Sequence, residues 1–146
     1  MAQPMTQIDF YTQAGDRLHT ACRLAAKARK HGLRVTLYCP DQHTAKRLDQ
    51  LLWTVPATGF LPHCAPDDRL AAVTPVLIDS SGDKHLHDEM LINLHTEWPA
   101  FFSRYQRLAE IVSSDDADRA QARERYKFYR DRGYAIRTHD LSGSSA

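Results

Sequence analysis

Within its first 54 residues the chain alternates twice between a short β-branched or aromatic run and a segment with apolar residues at helical spacing. Residues 8–11 read as a strand. Residues 16–31 carry Leu18, Ala21, Cys22, Ala25 and Ala28 at helical spacing, and Gly32 supplies a stop. Residues 34–39 read as a second strand, after which Pro40 and Asp41 open a second helix with Ala45, Leu48, Leu51 and Leu52 on one face. Elements of these lengths in this order call for right-handed crossovers between parallel strands. The expectation is one α/β domain over residues 1–146, with a mostly parallel, Rossmann-like sheet flanked by helices. Residues 1–6 and 142–146 are expected to be flexible ends.

The middle of the chain is looser. Pro56, Gly59, Pro62 and Pro66 make residues 54–68 largely loop. Short apolar strands at 75–79 and 91–94 bracket a polar excursion, 80–89, that contains the turn signal Ser81-Gly82-Asp83. A turn or short helix at 98–105 and a strand at 108–112 follow. Ser114 or Asp115 then caps a last helix that Gly133 ends.

Nineteen basic residues against eighteen acidic ones leave a formal charge of +1, which excludes bulk attraction to a phosphate backbone as the main theme. Any anion site must be local. Cys22, Cys39 and Cys64 are widely spaced with no Cys-x-x-Cys pair, which points to a reducing cytosol rather than a disulfide framework. The first residues lack the basic start and apolar run of a signal peptide, and no stretch approaches the roughly 20 apolar residues of a membrane span. A soluble, cytoplasmic protein is expected.

A doubly wound sheet invites a nucleotide, so the first strand–helix junction is decisive. Tyr11-Thr-Gln-Ala-Gly-Asp16 has one glycine and cannot supply the turn, the close approach to pyrophosphate and the helix packing that three glycines provide. His85-x-His87 with Asp88 and Glu89 has the ligand types of a metal site, but alternating spacing on an irregular segment favours a solvated loop. His63-Cys64 are adjacent, and catalytic Cys/His pairs are assembled from distant positions, so this pair reads as structural. No catalytic residue, metal or cofactor is expected.

Two segments remain. Residues 51–63 crowd Trp53, Val55, Pro56, Phe60 and Leu61 into irregular backbone. They either cover the sheet, with Trp53 tucked into the core, or form an exposed apolar patch for a protein partner. Residues 122–134 are rich in Arg, Lys and Tyr. At about 100° per residue, Arg119, Arg123, Lys127 and Arg130 fall within roughly an 80° arc, with Tyr126 at its edge and Glu124 and Asp131 on the other side. Such charges can simply solvate a helix face, with Arg119 paired to Asp115 at i,i+4. Their alignment beside Tyr126, Tyr129 and Ala122 instead suits a carboxylate carrying an apolar group, which a guanidinium binds bidentately.

Arg47-Leu-Asp-x-x-Leu-Trp-x-x-Pro-Ala-x-x-Phe-x-Pro-His63, Leu91-Ile-Asn-Leu94 and Ala122-Arg-Glu-Arg-Tyr-Lys-x-Tyr-Arg130 together resemble the chi subunit of bacterial DNA polymerase III holoenzyme. The resemblance covers nearly the whole chain; residues 84–89 and those after Arg137 diverge. It implies a small α/β accessory subunit without catalytic activity in DNA replication. It also implies a 1:1 pairing with the psi subunit, which tethers chi to the clamp loader, through Trp53, Pro56 and Phe60. A second implied contact is with the acidic C-terminal tail of single-stranded DNA-binding protein, which ends in a Phe with a free carboxylate. By matching position, that site comprises Val112, Arg119, Arg123, Tyr126 and Lys127. Arg123 takes the carboxylate, Val112 and Tyr126 flank the ring, and Arg119 and Lys127 meet upstream aspartates. Where this chain has Arg119 the family often has Lys, so the charge is kept but not the hydrogen-bond geometry. Two rivals are a nucleotide-dependent enzyme and a direct nucleic-acid binder that uses the Arg/Tyr helix for phosphate contact and base stacking.

Overall fold

Asp16, Asp41 and Asp115 each begin a helix. The Asp16 carboxylate accepts from the N–H groups of Leu18 and His19 at 3.0 and 3.1 Å. Asp41 accepts from Thr44 N–H at 2.7 Å, and Asp115 from Asp118 N–H at 3.1 Å. In each case a side-chain anion satisfies amides that the first helical turn leaves without partners. The computed structural model describes residues 5–54 and 61–142, and in it these caps open α1 (Arg17–Lys30), α2 (Gln42–Thr54) and α3 (Asp116–Asp131). Helix α3 ends where Gly133, at φ +85°, donates its N–H to the Arg130 carbonyl.

Before, between and after the helices run β1 (Gln7–Ala14), β2 (Val35–Tyr38), β3 (His63–Cys64), β4 (Val76–Asp79), β5 (Met90–Asn93), β6 (Arg107–Ser113) and β7 (Ile136–Asp140). Single 3₁₀ turns occupy Ala71–Val73 and Phe102–Arg104. The strands form one sheet in the order β3-β4-β2-β5-β6-β1-β7, and every pairing among the described residues is parallel. This is the α/β, Rossmann-like architecture expected from the alternation of elements.

The sheet divides two cores. On one face Ala21, Cys22, Ala25 and Ala28 of α1 and Leu48 and Leu52 of α2 pack on Val35, Leu37, Ile78, Ala109 and Ile111. On the other, Ala122 and Tyr129 of α3 join Phe102 and Tyr105 over Ile8, Phe10, Leu108 and Val112. Residues 108, 110 and 112 of β6 face α3 while 109 and 111 face α1, as the two-residue pleat requires. The small residues of α1 let its backbone lie close on the sheet.

Three features depart from the sequence reading. The loop expected at 54–68 contains β3, which adds a two-residue edge beside β4. Strand β7 is not announced by its sequence: as an edge strand it leaves Arg137, Thr138 and Asp140 exposed, so alternation is blurred. It is held by its parallel ladder to β1 over residues 8–12, to which Asp9 of β1 adds side-chain bonds, its carboxylate accepting from Arg137 Nε at 3.0 Å and His139 Nε2 at 2.9 Å. Burial works against the Asp9 charge, but these bonds outweigh it and hold the carboxyl below its ordinary range.

The solvated loop expected at His85–Glu89 is also corrected. His87 Nδ1 accepts Glu89 N–H at 3.1 Å, which leaves Nε2 to donate to Thr36 Oγ1 at 2.9 Å. His85 Nδ1 lies 3.0 Å from the Tyr105 hydroxyl, and Glu89 accepts from Arg34 N–H at 2.9 Å. The segment is pinned to the start of β2 and to Tyr105 rather than free in water. The expected flexible ends fall mainly on residues outside those described; Thr6, at the inner limit of one of them, is buried and donates to the Tyr105 carbonyl at 2.5 Å. No described helix is long and apolar enough to cross a membrane.

Candidate functional site

Helix α3 lies over β1 and β6 with Ala122, Arg125 and Tyr129 turned inward. That register leaves Arg119, Arg123 and Tyr126 along one flank, above the C-terminal ends of the strands. Between this flank and the sheet is a groove of about 340 Å³, lined by Phe10, Thr12, Gln13, Val112, Ser113, Arg119, Ala122, Arg123, Tyr126 and Thr138. Tyr126 meets Phe10 edge-on at 5.4 Å, which fixes its ring as an apolar wall. A crevice beyond the carboxyl ends of parallel strands is where ligands of open α/β sheets are generally held.

Arg119 and Arg123 bring two positive charges to the groove, and no carboxylate lines it among the described residues. Asp118 accepts from Ser113 N–H and Oγ at 2.7 and 2.9 Å and lies 3.6 Å from Arg17 Nε. Asp115 is committed to its cap, so the i,i+4 pairing of Arg119 with Asp115 is not formed. Arg119 instead reaches Asp116 at 4.0 Å, an exposed and weak contact. Arg130 is paired with its neighbour Asp131 at 3.3 Å. Arg123 and Lys127 have no ion-pair partner among the described residues. Of the five residues expected to form one site, Val112, Arg119, Arg123 and Tyr126 line the groove together. Lys127 is exposed one turn beyond Arg123 and does not line it.

Tyr129 is not beside the stripe. It is fully buried and donates its hydroxyl to Glu110 Oε2 at 2.6 Å. Glu110 also accepts Arg125 Nε at 2.9 Å and Asn93 Nδ2 at 3.1 and 3.0 Å, while Arg125 Nη1 donates to the Thr96 carbonyl at 2.7 Å. Burial raises the Glu110 pKa despite Arg125, and burial beside Glu110 raises that of Tyr129. This network under α3 is missing from the sequence reading, although a signal for it exists. Glu110 is the one charge in the apolar run Leu-Ala-Glu-Ile-Val, and Arg125 falls on the buried side of α3. Two such charges in separate elements require each other.

At the far end of the sheet, Trp53 closes the last turn of α2 with 60% of its surface exposed, its ring edge-on to His63 at 5.8 Å. It is not tucked into the core. Pro56 and Phe60 lie outside the described residues. His63 is turned to Asp49 at 2.8 Å and the Leu61 carbonyl at 2.7 Å, and Cys64 is free and half-buried. At the first strand–helix junction the α1 amides that would meet a phosphate already hold the Asp16 carboxylate.

The profile of the family described as "DNA polymerase III chi subunit, HolC" matches residues 5–137. A Pseudomonas aeruginosa protein named DNA polymerase III subunit chi is 39% identical over 142 residues, which is 94% of this chain and 98% of that protein. Proteins of the same name from Haemophilus influenzae and Escherichia coli K12 are 34% and 33% identical, over 83% and 80% of this chain and 85% and 80% of their own lengths.

Proposed function

This chain belongs to the DNA polymerase III chi-subunit family, and from that premise we propose that it couples two proteins at opposite ends of its sheet. Membership makes it an accessory subunit in DNA replication. The groove under α3 receives the acidic C-terminal tail of single-stranded DNA-binding protein. Arg123 takes the terminal carboxylate, Val112 and Tyr126 hold the terminal Phe ring, and Arg119 and Lys127 meet aspartates upstream. Trp53, with Pro56 and Phe60, meets the psi subunit and through it the clamp loader. The protein acts in the cytoplasm and has no chemistry of its own. Joining the two contacts raises the effective concentration of the second once the first is made, which keeps the polymerase machinery on coated template.

The observation that carries this reading is the pairing of an uncommitted guanidinium, Arg123, with apolar walls at Val112 and Tyr126 in one groove. Arg recognises a carboxylate through two parallel N–H groups, and the walls discriminate what the carboxylate is attached to. A nucleotide-dependent enzyme is disfavoured because Asp16 already occupies the α1 N-terminus and would repel a phosphate there. Strong direct binding of nucleic acid is disfavoured by the net charge of +1. The test is titration calorimetry with a short acidic peptide ending in Phe, run beside the same peptide amidated at its C-terminus. Binding of the free acid, greatly weakened by amidation, is expected. Absence of binding by either would remove the tail contact and leave only the psi-facing role.

A further inference from the structure

Strand β1 breaks its own pleat at the groove. Tyr11 pairs with Ile111 and Ala14 with Ser113, so Thr12 and Gln13 together oppose Val112. Consecutive residues of a regular strand face opposite sides of a sheet, yet Thr12 and Gln13 both line the groove. Gln13 accomplishes this at φ +59°, and among the described residues it is the only one other than glycine with a positive φ. A side chain with a Cβ is disfavoured there, and a residue of this kind persists where the surroundings or a function require it.

The Gln13 carboxamide makes no hydrogen bond to the protein among the described residues, whereas other polar groups around it are engaged. Thr12 Oγ1 donates to the His139 carbonyl at 3.4 Å, and Ser113 Oγ is bonded to Asp118 and accepts Asp115 N–H at 3.2 Å. Arg119 and Arg123 can donate but never accept. A carboxamide does both, which is what the main chain of an extended peptide presents. We propose that Gln13 is a ligand-reading residue of the groove, its carboxamide bonding the main chain of a bound peptide just before the terminal residue. This rests on the reading of the groove as a peptide site and adds a contact to it. The bulge exists to aim that side chain.

The experiment titrates wild type, Gln13→Ala, Gln13→Gly and Arg123→Ala with the free-acid and amidated Phe-ending peptides, and melts each protein alone. Gln13→Ala is expected to weaken the free acid about fivefold, the size of one neutral hydrogen bond, and to leave the acid-to-amide affinity ratio unchanged. Arg123→Ala collapses that ratio. Gln13→Gly, which suits a positive φ, is expected to melt no lower than wild type while losing the same affinity. Wild-type affinity in both Gln13 variants would overturn the assignment and leave the groove reading intact. A wild-type protein that binds neither peptide would overturn both.

Discussion

Glu110 and Arg125 form an ion pair of 2.9 Å between the middle of β6 and the buried side of α3, with essentially no surface on either side chain exposed to water. Tyr129 and Asn93 complete the coordination of the carboxylate, and Arg125 continues to the Thr96 carbonyl in the segment after β5. A network of this kind fixes which way α3 faces. A small rotation of the helix would carry Arg125 off Glu110 and Arg123 away from the groove together. The buried pair thereby positions the flank of α3 that lines the groove.

Removing one partner should be severe. Arg125→Met leaves the Glu110 carboxyl buried among groups arranged for its ion-pair partner, at a cost of about 3–5 kcal/mol. For a chain of this size that corresponds to a fall in melting temperature on the order of 10 °C. The double variant Glu110→Leu with Arg125→Met should lose less than the sum of the two single changes. Thermal unfolding of the three proteins checks this, and additive losses would contradict coupling between the pair.

At the groove itself, Arg123→Ala should weaken the free-acid peptide by about 2–3 kcal/mol, roughly 30- to 150-fold, with little change in melting temperature. Lys127→Ala should cost less than about 1 kcal/mol, because its charge is exposed and screened. Both wild-type affinity and the Lys127 contribution should decline with added salt. Calorimetry at two ionic strengths measures all three effects.

His87 predicts an acid-sensitive fold. Burial first, and then the Arg34 charge, lowers its pKa from the ordinary 6.5 to about 4, in keeping with the neutral ring that Glu89 N–H and Thr36 define. Between those values the unfolded chain takes up a proton that the folded chain refuses. Stability from this site is therefore complete above about pH 6.5 and is lost as pH falls toward about 4. Melting temperature should drop across that window, and His87→Gln should flatten the drop. An unchanged slope in the variant would contradict the assignment.

Trp53 is exposed, so its removal should separate binding from folding. Trp53→Ala is expected to melt within about 2 °C of wild type, as exposed substitutions do, while weakening association with psi by at least about tenfold, as loss of an aromatic anchor does. Co-purification and calorimetry with psi provide the readout. Retained affinity would move the psi-facing surface away from the end of α2.

The sequence by itself determined the local elements and the flank of α3. The apolar spacing of α1 and α2, the opening of α2 at Asp41, and the alignment of Arg119, Arg123 and Tyr126 are properties of residues within a few positions of one another, and the local pattern reports them directly, whereas the choice of Asp115 over Ser114 as the α3 cap was made by the structure. Tertiary structure alone decided what those elements meet. Strand β7 is held by its ladder to β1 and by Asp9, 128 residues away from Arg137 in the chain, so its own exposed sequence carries little strand signal. Tyr129 and Arg125 were sorted inward, away from the groove, by Glu110 and Asn93 on other strands. The bulge at Thr12 and Gln13, where the strand meets the groove, exists only as a mismatch of register between β1 and β6. Each depends on a partner distant in sequence, and a buried charge or an edge strand has no local periodicity to announce it.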